Sequence, residues 1–116
     1  TLEKAKQICV EYMTQSFTFL NPQKLIEPLW KFSSSLLKNE ENYSQAINLL
    51  MHIAGMFERS LRQDTLVAPQ EELEMTEQSE TFKQLEQSLN LLSGTFQIEM
   101  PKDEVYYLQQ LLAYQE

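Results

Sequence analysis

The chain holds one histidine in 116 residues. It is His52, in the stretch Ile47–Arg62, "INLLMHIAGMFERSLR". Gly55, one of only two glycines, follows three residues later, and Arg59 seven residues later. At ~100° per residue on a helix, Ala46, Leu50, Ile53 and Phe57 fall within ~60° of one another, with Leu49 and Leu61 flanking them. That stripe is the expected core face. His52 lies ~120–140° from its centre, beside Asn48, Gly55 and Arg59. Gly costs ~1 kcal/mol relative to Ala inside a helix. Its expected use here is to clear a side chain from the face of His52 and leave the imidazole open to approach. Arg59 is only ~20° off the line of His52, and helical side chains lean toward the N-terminus. A guanidinium so placed can hold an anion against the ring by paired hydrogen bonds.

Several chemistries are short of partners. One exposed histidine does not make a metal site, for which three or four ligands are usual, and the single cysteine, Cys9, supplies no cysteine cluster. Neither a metal nor a cofactor is expected: no Gly-rich phosphate loop or dinucleotide fingerprint occurs. No nucleophilic Ser or Cys motif accompanies His52, and acid–base catalysis lacks a second residue, so an enzyme is not expected. Histidine is itself a nucleophile, and an imidazole exposed by Gly55 with Arg59 nearby could accept a phosphoryl group. Taken alone, the pattern fits an ordinary surface histidine better than an acceptor. With His52 as acceptor, Arg59→Ala is expected to leave the fold intact but weaken transfer, because the core stripe faces the other way.

The elements that position His52 read as helices. Leu2, Ala5, Ile8, Cys9, Tyr12 and Met13 recur at helical spacing in "LEKAKQICVEYMTQSF". Asn21-Pro22 offers an N-cap followed by Pro at the first helical position, opening a second helix to about Lys38. Its apolar side is Leu25, Ile26, Leu29, Trp30, Phe32, Leu36 and Leu37. Asn39–Asn42 reads as a polar turn. The third helix runs from Tyr43 or Ser44 to Arg62. Asp64 to Glu80 reads as an exposed acidic connection with at most a helical turn. A fourth helix, Thr81 to about Leu92, carries Phe82, Leu85, Leu89 and Leu92, and Gly94 is expected just past its end. "TFQIE" (Thr95–Glu99) is a short extended link. Pro101 opens the last helix, with Asp103 and Glu104 in the first turn, where the helix dipole favours them. Val105, Leu108, Leu111 and Leu112 form its buried side. The expectation is an all-α, compact five-helix bundle, one domain over residues 1–116.

Seventeen acidic and nine basic residues give a formal charge of −8. Phosphate backbones are bound by clustered Lys and Arg, so direct nucleic-acid contact is not expected, nor attraction to anionic membranes. No apolar run approaches the ~18 residues of a membrane span. One cysteine and no signal-peptide pattern fit a reducing, cytoplasmic compartment. A first residue Thr1 instead of Met suggests a fragment of a larger protein.

"LLMHIAGMFERSL" resembles the histidine motif of the PTS regulation domain, or PRD, in which a helical His is followed by an apolar pair and, seven residues on, an Arg. "IEMPKDEVYYLQQLL" (Ile98–Leu112) is similar to that family's second motif, where Asp-Glu begins the last helix. "FTFLNPQKL" (Phe17–Leu25) resembles its early segment. The resemblance implies an all-α regulatory domain, commonly paired as a homodimer, in bacterial regulators of sugar operons. Its histidines are phosphorylated by phosphotransferase-system proteins, the phosphocarrier HPr or a sugar-specific EIIB. By the resemblance, His52 matches the acceptor and Arg59 its companion. The position that carries a second histidine in some members is Leu111 here, so a single acceptor is expected. "GMFER" and the missing second histidine look most like the carboxy-terminal PRD of sigma-54-dependent activators of the levanase-operon-regulator type, with an RNA-binding antiterminator as the other subtype that the resemblance leaves open. The competing expectation is a passive helical interaction or dimerisation module without phosphorylation.

Overall fold

In a computed structural model of the chain, residues 1–39 and 42–114 are described. Six helices occur among them and no strand: α1 Leu2–Ser16, α2 Pro22–Ser35, α3 Tyr43–Leu61, α4 Gln70–Thr76, α5 Glu80–Thr95 and α6 Lys102–Tyr114. The all-α expectation holds, with six helices where five were expected. Glu40 and Glu41 of the expected polar turn lie outside the described residues. Contacts divide the chain into two units, Thr1–Glu58 and Arg59–Glu116, with the boundary inside α3.

In the first unit, Thr1 caps α1 by accepting the Lys4 N–H, and Asn21 caps α2 by accepting that of Gln23, with Pro22 next. Both caps satisfy donors that a helix start leaves without partners. α1 packs on α2; the contact includes a Lys6–Glu27 ion pair at 3.0 Å. Cys9, Met13, Leu29, Leu50, Ile53 and Phe57 are wholly buried, each side chain contributing about 1.5–3 kcal/mol of apolar transfer where it is large. α2 ends at Ser35, short of Lys38, leaving Leu36 and Leu37 half-buried beyond it. Ile8 and Tyr12, expected on the apolar side of α1, are exposed.

In the second unit, α6 packs against α5 and α4. α4 is the helix that the acidic connection conceals. It has only seven residues and one buried side chain, Leu73, so it carries no apolar period. Glu71 and Glu72 occupy its first turn, the favourable end of its dipole. α5 starts at Glu80, where Ser79 caps it through the Phe82 N–H at 3.1 Å.

Gly94 does not follow α5 but sits inside it. The left-handed residue is Gln97, at φ 59°. Gln97 N–H donates to Gly94 C=O and Ile98 N–H to Ser93 C=O, both at 3.0 Å, which is the Schellman closure. α3 ends the same way on Gln63, at φ 58°, with Asp64 N–H donating to Arg59 C=O at 2.9 Å. Both helices therefore use glutamine where glycine is favoured. Leu111 and Leu112 are half-buried, at the outer end of the α6 core stripe.

Candidate functional site

α3 presents His52, Gly55 and Arg59, but not as an open face. Every residue from Ile53 to Glu58 is buried, all around the helix. His52 itself is half-buried, and its Nε2 is shielded from solvent. Gly55 is buried too. The expected use of Gly55, clearing a solvent-facing approach to the imidazole, is not what its setting provides. Over Ile53–Glu58 α3 is enclosed on all sides and has no polar back, whereas Tyr43, Ser44 and Asn48 nearer its start are exposed.

Arg59 is half-buried and already engaged. Its Nε donates to Glu104 Oε2 at 2.9 Å and its Nη2 to Oε1 at 2.8 Å. The hydrogen bond to Glu104 raises the guanidinium above its ordinary value, assisted by the Glu104 charge and opposed by burial. Glu104 is fully buried and accepts a third bond, from the Leu66 N–H, at 2.9 Å. The expectation that Arg59 is dispensable for the fold is set against this pairing, in which the guanidinium meets a buried carboxylate.

The first turns of α6 clamp the chain between α3 and α4. Asp103 accepts from Ala68 N–H at 2.8 Å and from the Gln70 amide at 3.2 Å. Tyr107 donates to Val67 C=O at 2.9 Å. Tyr106 donates to Glu72, a bond that pushes its phenol up to about 12. Asp103 and Glu104 were expected to serve the helix dipole, and they occupy that first turn. Their larger part is to satisfy backbone donors of a connection that has no ladder of its own.

Glu58 has the same task in the first unit and was not foreseen. Its carboxylate accepts from Thr18, Phe19 and Leu20 N–H, the shortest contacts being 2.8 Å to Thr18 and Phe19. A signal was present in the sequence. Glu58 has Met51, Ala54 and Leu61 at i−7, i−4 and i+3, so a carboxylate stands within an apolar face, where it must find donors.

Among the described residues, no group of three His, Cys, Asp or Glu side chains is placed to hold a metal ion, and no helix is long and apolar enough to cross a membrane. Cys9 is buried, and burial pushes its thiol up to about 11.

Comparison with curated proteins and with solved structures gives no match. A family model does match: the PRD domain, over residues 27–115. The matched span holds His52, Gly55, Arg59 and the Asp103-Glu104 pair, and leaves α1 and the Phe17–Leu25 segment outside it. With most of its length so matched, and with an all-helical fold, the chain belongs to the PRD family of regulatory domains.

Proposed function

We propose that this PRD is the phosphorylation-controlled regulatory domain of a bacterial transcriptional regulator of sugar utilisation, with His52 as its single phosphoacceptor. The observation that carries the reading is that a PRD match spans the only histidine of the chain. The phosphodonor is a phosphotransferase-system protein, HPr or an EIIB, and the domain is a substrate of that transfer, not an enzyme. It acts in the cytoplasm, where those donors act, as part of a larger regulator and as a homodimer. Nucleic acid is contacted by another domain, since a domain of formal charge −8 repels phosphate backbones. The subtype proposed is the carboxy-terminal PRD of a sigma-54-dependent activator.

In the transfer the unprotonated imidazole nitrogen of His52 attacks phosphorus; a P–N bond forms as the P–N or P–S bond of a donor phosphohistidine or phosphocysteine breaks, the donor leaves as free imidazole or thiolate, and the proton on the other ring nitrogen of His52 is kept or passed to solvent. The product adds roughly −1.5 to −2 charges to a half-buried position on an acidic chain. A charge of that size is costly at a shielded position, so phosphorylation favours an arrangement in which the phosphorylated ring is better solvated or charge-paired. A coupling of about 1–3 kcal/mol suffices to shift two assemblies. Arg59 and Gly55 support this step through the helix: Arg59 anchors α3 by Glu104, and Gly55 keeps the buried stretch beside His52 free of a further side chain.

Incubation with phosphoenolpyruvate, the general phosphotransferase enzymes and a candidate EIIB should give an acid-labile mass gain on the wild-type chain and none on His52→Ala. Labelling of His52→Ala would remove His52 from its role. One observation favours a second reading, the passive helical interaction module: the shielded Nε2. Wild-type protein that no donor labels, in the presence of a labelled control PRD, would establish that module instead.

A further inference from the structure

α1 turns a second apolar edge away from its own core. Ala5, Cys9 and Met13 are buried, yet Ile8 is 40% exposed and Tyr12 53% exposed. With Glu11 and Gln15 these two line a shallow groove of about 340 Å³. Lys4, Ile8, Glu11, Tyr12 and Gln15 share one side of the helix at spacings of four, three, one and three residues. α1 lies outside the span matched by the family model, so this surface is read from the chain itself.

The charges on that stripe are arranged symmetrically. Lys4 and Glu11 stand at either side of Ile8, about 10.5 Å apart along the axis. Among the described residues, the Lys4 ammonium forms no ion pair, and the Glu11 carboxylate meets only the Gln7 amide, at 3.4 Å. An isologous dimer repeats one patch on both partners in opposite directions. If two α1 helices cross antiparallel with the dyad beside Ile8, Ile8 meets Ile8 and each Lys4 faces Glu11 of the other copy. Tyr12 then covers the aliphatic stem of the opposite Lys4, with its ring face toward the ammonium. A parallel pairing instead sets Lys4 against Lys4 and Glu11 against Glu11. The stripe thus complements itself in one orientation only.

We infer that the Lys4–Ile8–Glu11–Tyr12 face of α1 is a docking surface for a second copy of this chain, paired antiparallel about Ile8. The inference rests on the reading of the domain as a self-associating regulator and names the surface used. Two 15-residue helices bury less than the roughly 1,200–2,000 Å² of a stable interface, so the pairing alone is weak and concentration-dependent.

Sedimentation equilibrium of the 116-residue chain between ~10 and ~500 micromolar, the range in which so small a surface associates, reads the dimer directly. Ile8→Glu should raise the dissociation constant at least ~10-fold while helical circular dichroism is unchanged, since Ile8 is exposed. Lys4→Glu and Glu11→Lys should each weaken the dimer by setting like charges face to face. The double variant Lys4→Glu with Glu11→Lys should restore it, because antiparallel pairing exchanges the two charges. In a Cys9→Ala background, Ile8→Cys treated with diamide, which takes up the two electrons and two protons, should form an intermolecular disulfide across the dyad. A wild-type chain that stays monomeric throughout overturns the surface, as does a dimer indifferent to Ile8→Glu, or a double swap no better than the single changes. Phosphotransfer to His52, measured on the same samples, separates the two readings: a labelled monomer sinks the docking surface alone, and an unlabelled antiparallel dimer sinks the phosphoacceptor alone.

Discussion

Arg59 and Glu104 meet edge to edge, the guanidinium Nε and Nη2 donating to the two carboxylate oxygens at 2.9 and 2.8 Å. One partner is fully buried and the other keeps 22% of its side chain exposed. That asymmetry sets the direction of an energetic prediction. Removing the arginine strands a buried charge, which typically costs about 3–5 kcal/mol. Arg59→Ala should therefore lower the urea midpoint strongly. Arg59→Ala with Glu104→Gln, which removes the stranded charge, should recover part of the loss. If Arg59→Ala unfolds like the wild type, the pair is only a surface ornament of α3.

Glu58 gives a local version of the same argument. Its carboxylate satisfies three consecutive backbone donors, Thr18, Phe19 and Leu20. Glu58→Ala should cost about 2–4 kcal/mol, since buried N–H groups left without acceptors cost about 1–3 kcal/mol each unless water reaches them. Hydrogen exchange at those three amides should accelerate before exchange in the α1 interior does. Uniform acceleration along α1 would mean that Glu58 holds the helix as a whole and not the link.

Helix ends were the least legible part of the fold, and the reason is physical. The N-caps at Asn21 and the apolar stripe of Leu50, Ile53 and Phe57 depend on residue type and period, which a sequence displays directly. The ends of α3 and α5 depend on a left-handed turn that glutamine adopts under tertiary constraint, while Gly94, the residue that advertises such a turn, lies inside α5. α4 was hidden because one buried leucine makes no period. At the candidate site, His52 and Arg59 were legible as residues on one helix, but their enclosure was not. Arg59 pairs with Glu104 across 45 positions of sequence, and no local pattern announces such a partner.

These helix ends make a stability prediction. A non-glycine residue in the left-handed region costs roughly 1–2 kcal/mol, so Gln97→Gly should stabilise the chain by about 1 kcal/mol after its larger unfolded-state entropy is counted. Gly94→Ala should add about 0.5–1 kcal/mol, because a Cβ there meets nothing within 4 Å and the position is helical. Thermal unfolding of the two variants and their combination reads both. A destabilised Gln97→Gly would mean that the glutamine side chain contributes more than its backbone costs.

Alkaline pH should weaken the fold through two named groups. Tyr106 is raised to about 12 by its bond to Glu72, and Cys9 from 9.0 to about 11 by burial. In both cases the folded chain holds the proton more tightly than the unfolded chain. The associated stability is complete below the unfolded pKa values of about 9–10 and is lost as pH rises toward 11–12. Urea midpoints measured from pH 8 to 11 should fall, and less steeply in Tyr106→Phe. The native Cys9 thiol should also resist alkylation until urea unfolds the chain; prompt reaction in buffer would contradict its burial.

The shielding of His52 has a direct chemical readout, since the chain has no other histidine. Diethyl pyrocarbonate acylates a neutral imidazole nitrogen, and its rate depends on access to that nitrogen. With Nε2 shielded, His52 should react at least ~10-fold more slowly than free N-acetylhistidine at pH 7, the protection that a local opening of ~1.4 kcal/mol confers. The same rate should rise in Arg59→Ala, whose lost anchor at Glu104 loosens α3, and should reach the free value in denaturing urea. A small phosphoryl donor such as phosphoramidate should follow the same order, because it too needs access to an unprotonated nitrogen of this half-buried ring. Reaction of the native chain at the free rate would show that the ring is open in solution; a protein donor would then need no rearrangement of α3 to reach His52. Slow reaction with diethyl pyrocarbonate combined with fast labelling by an EIIB would instead locate the opening step in the donor complex, where binding energy can lift the shielding that solvent alone does not.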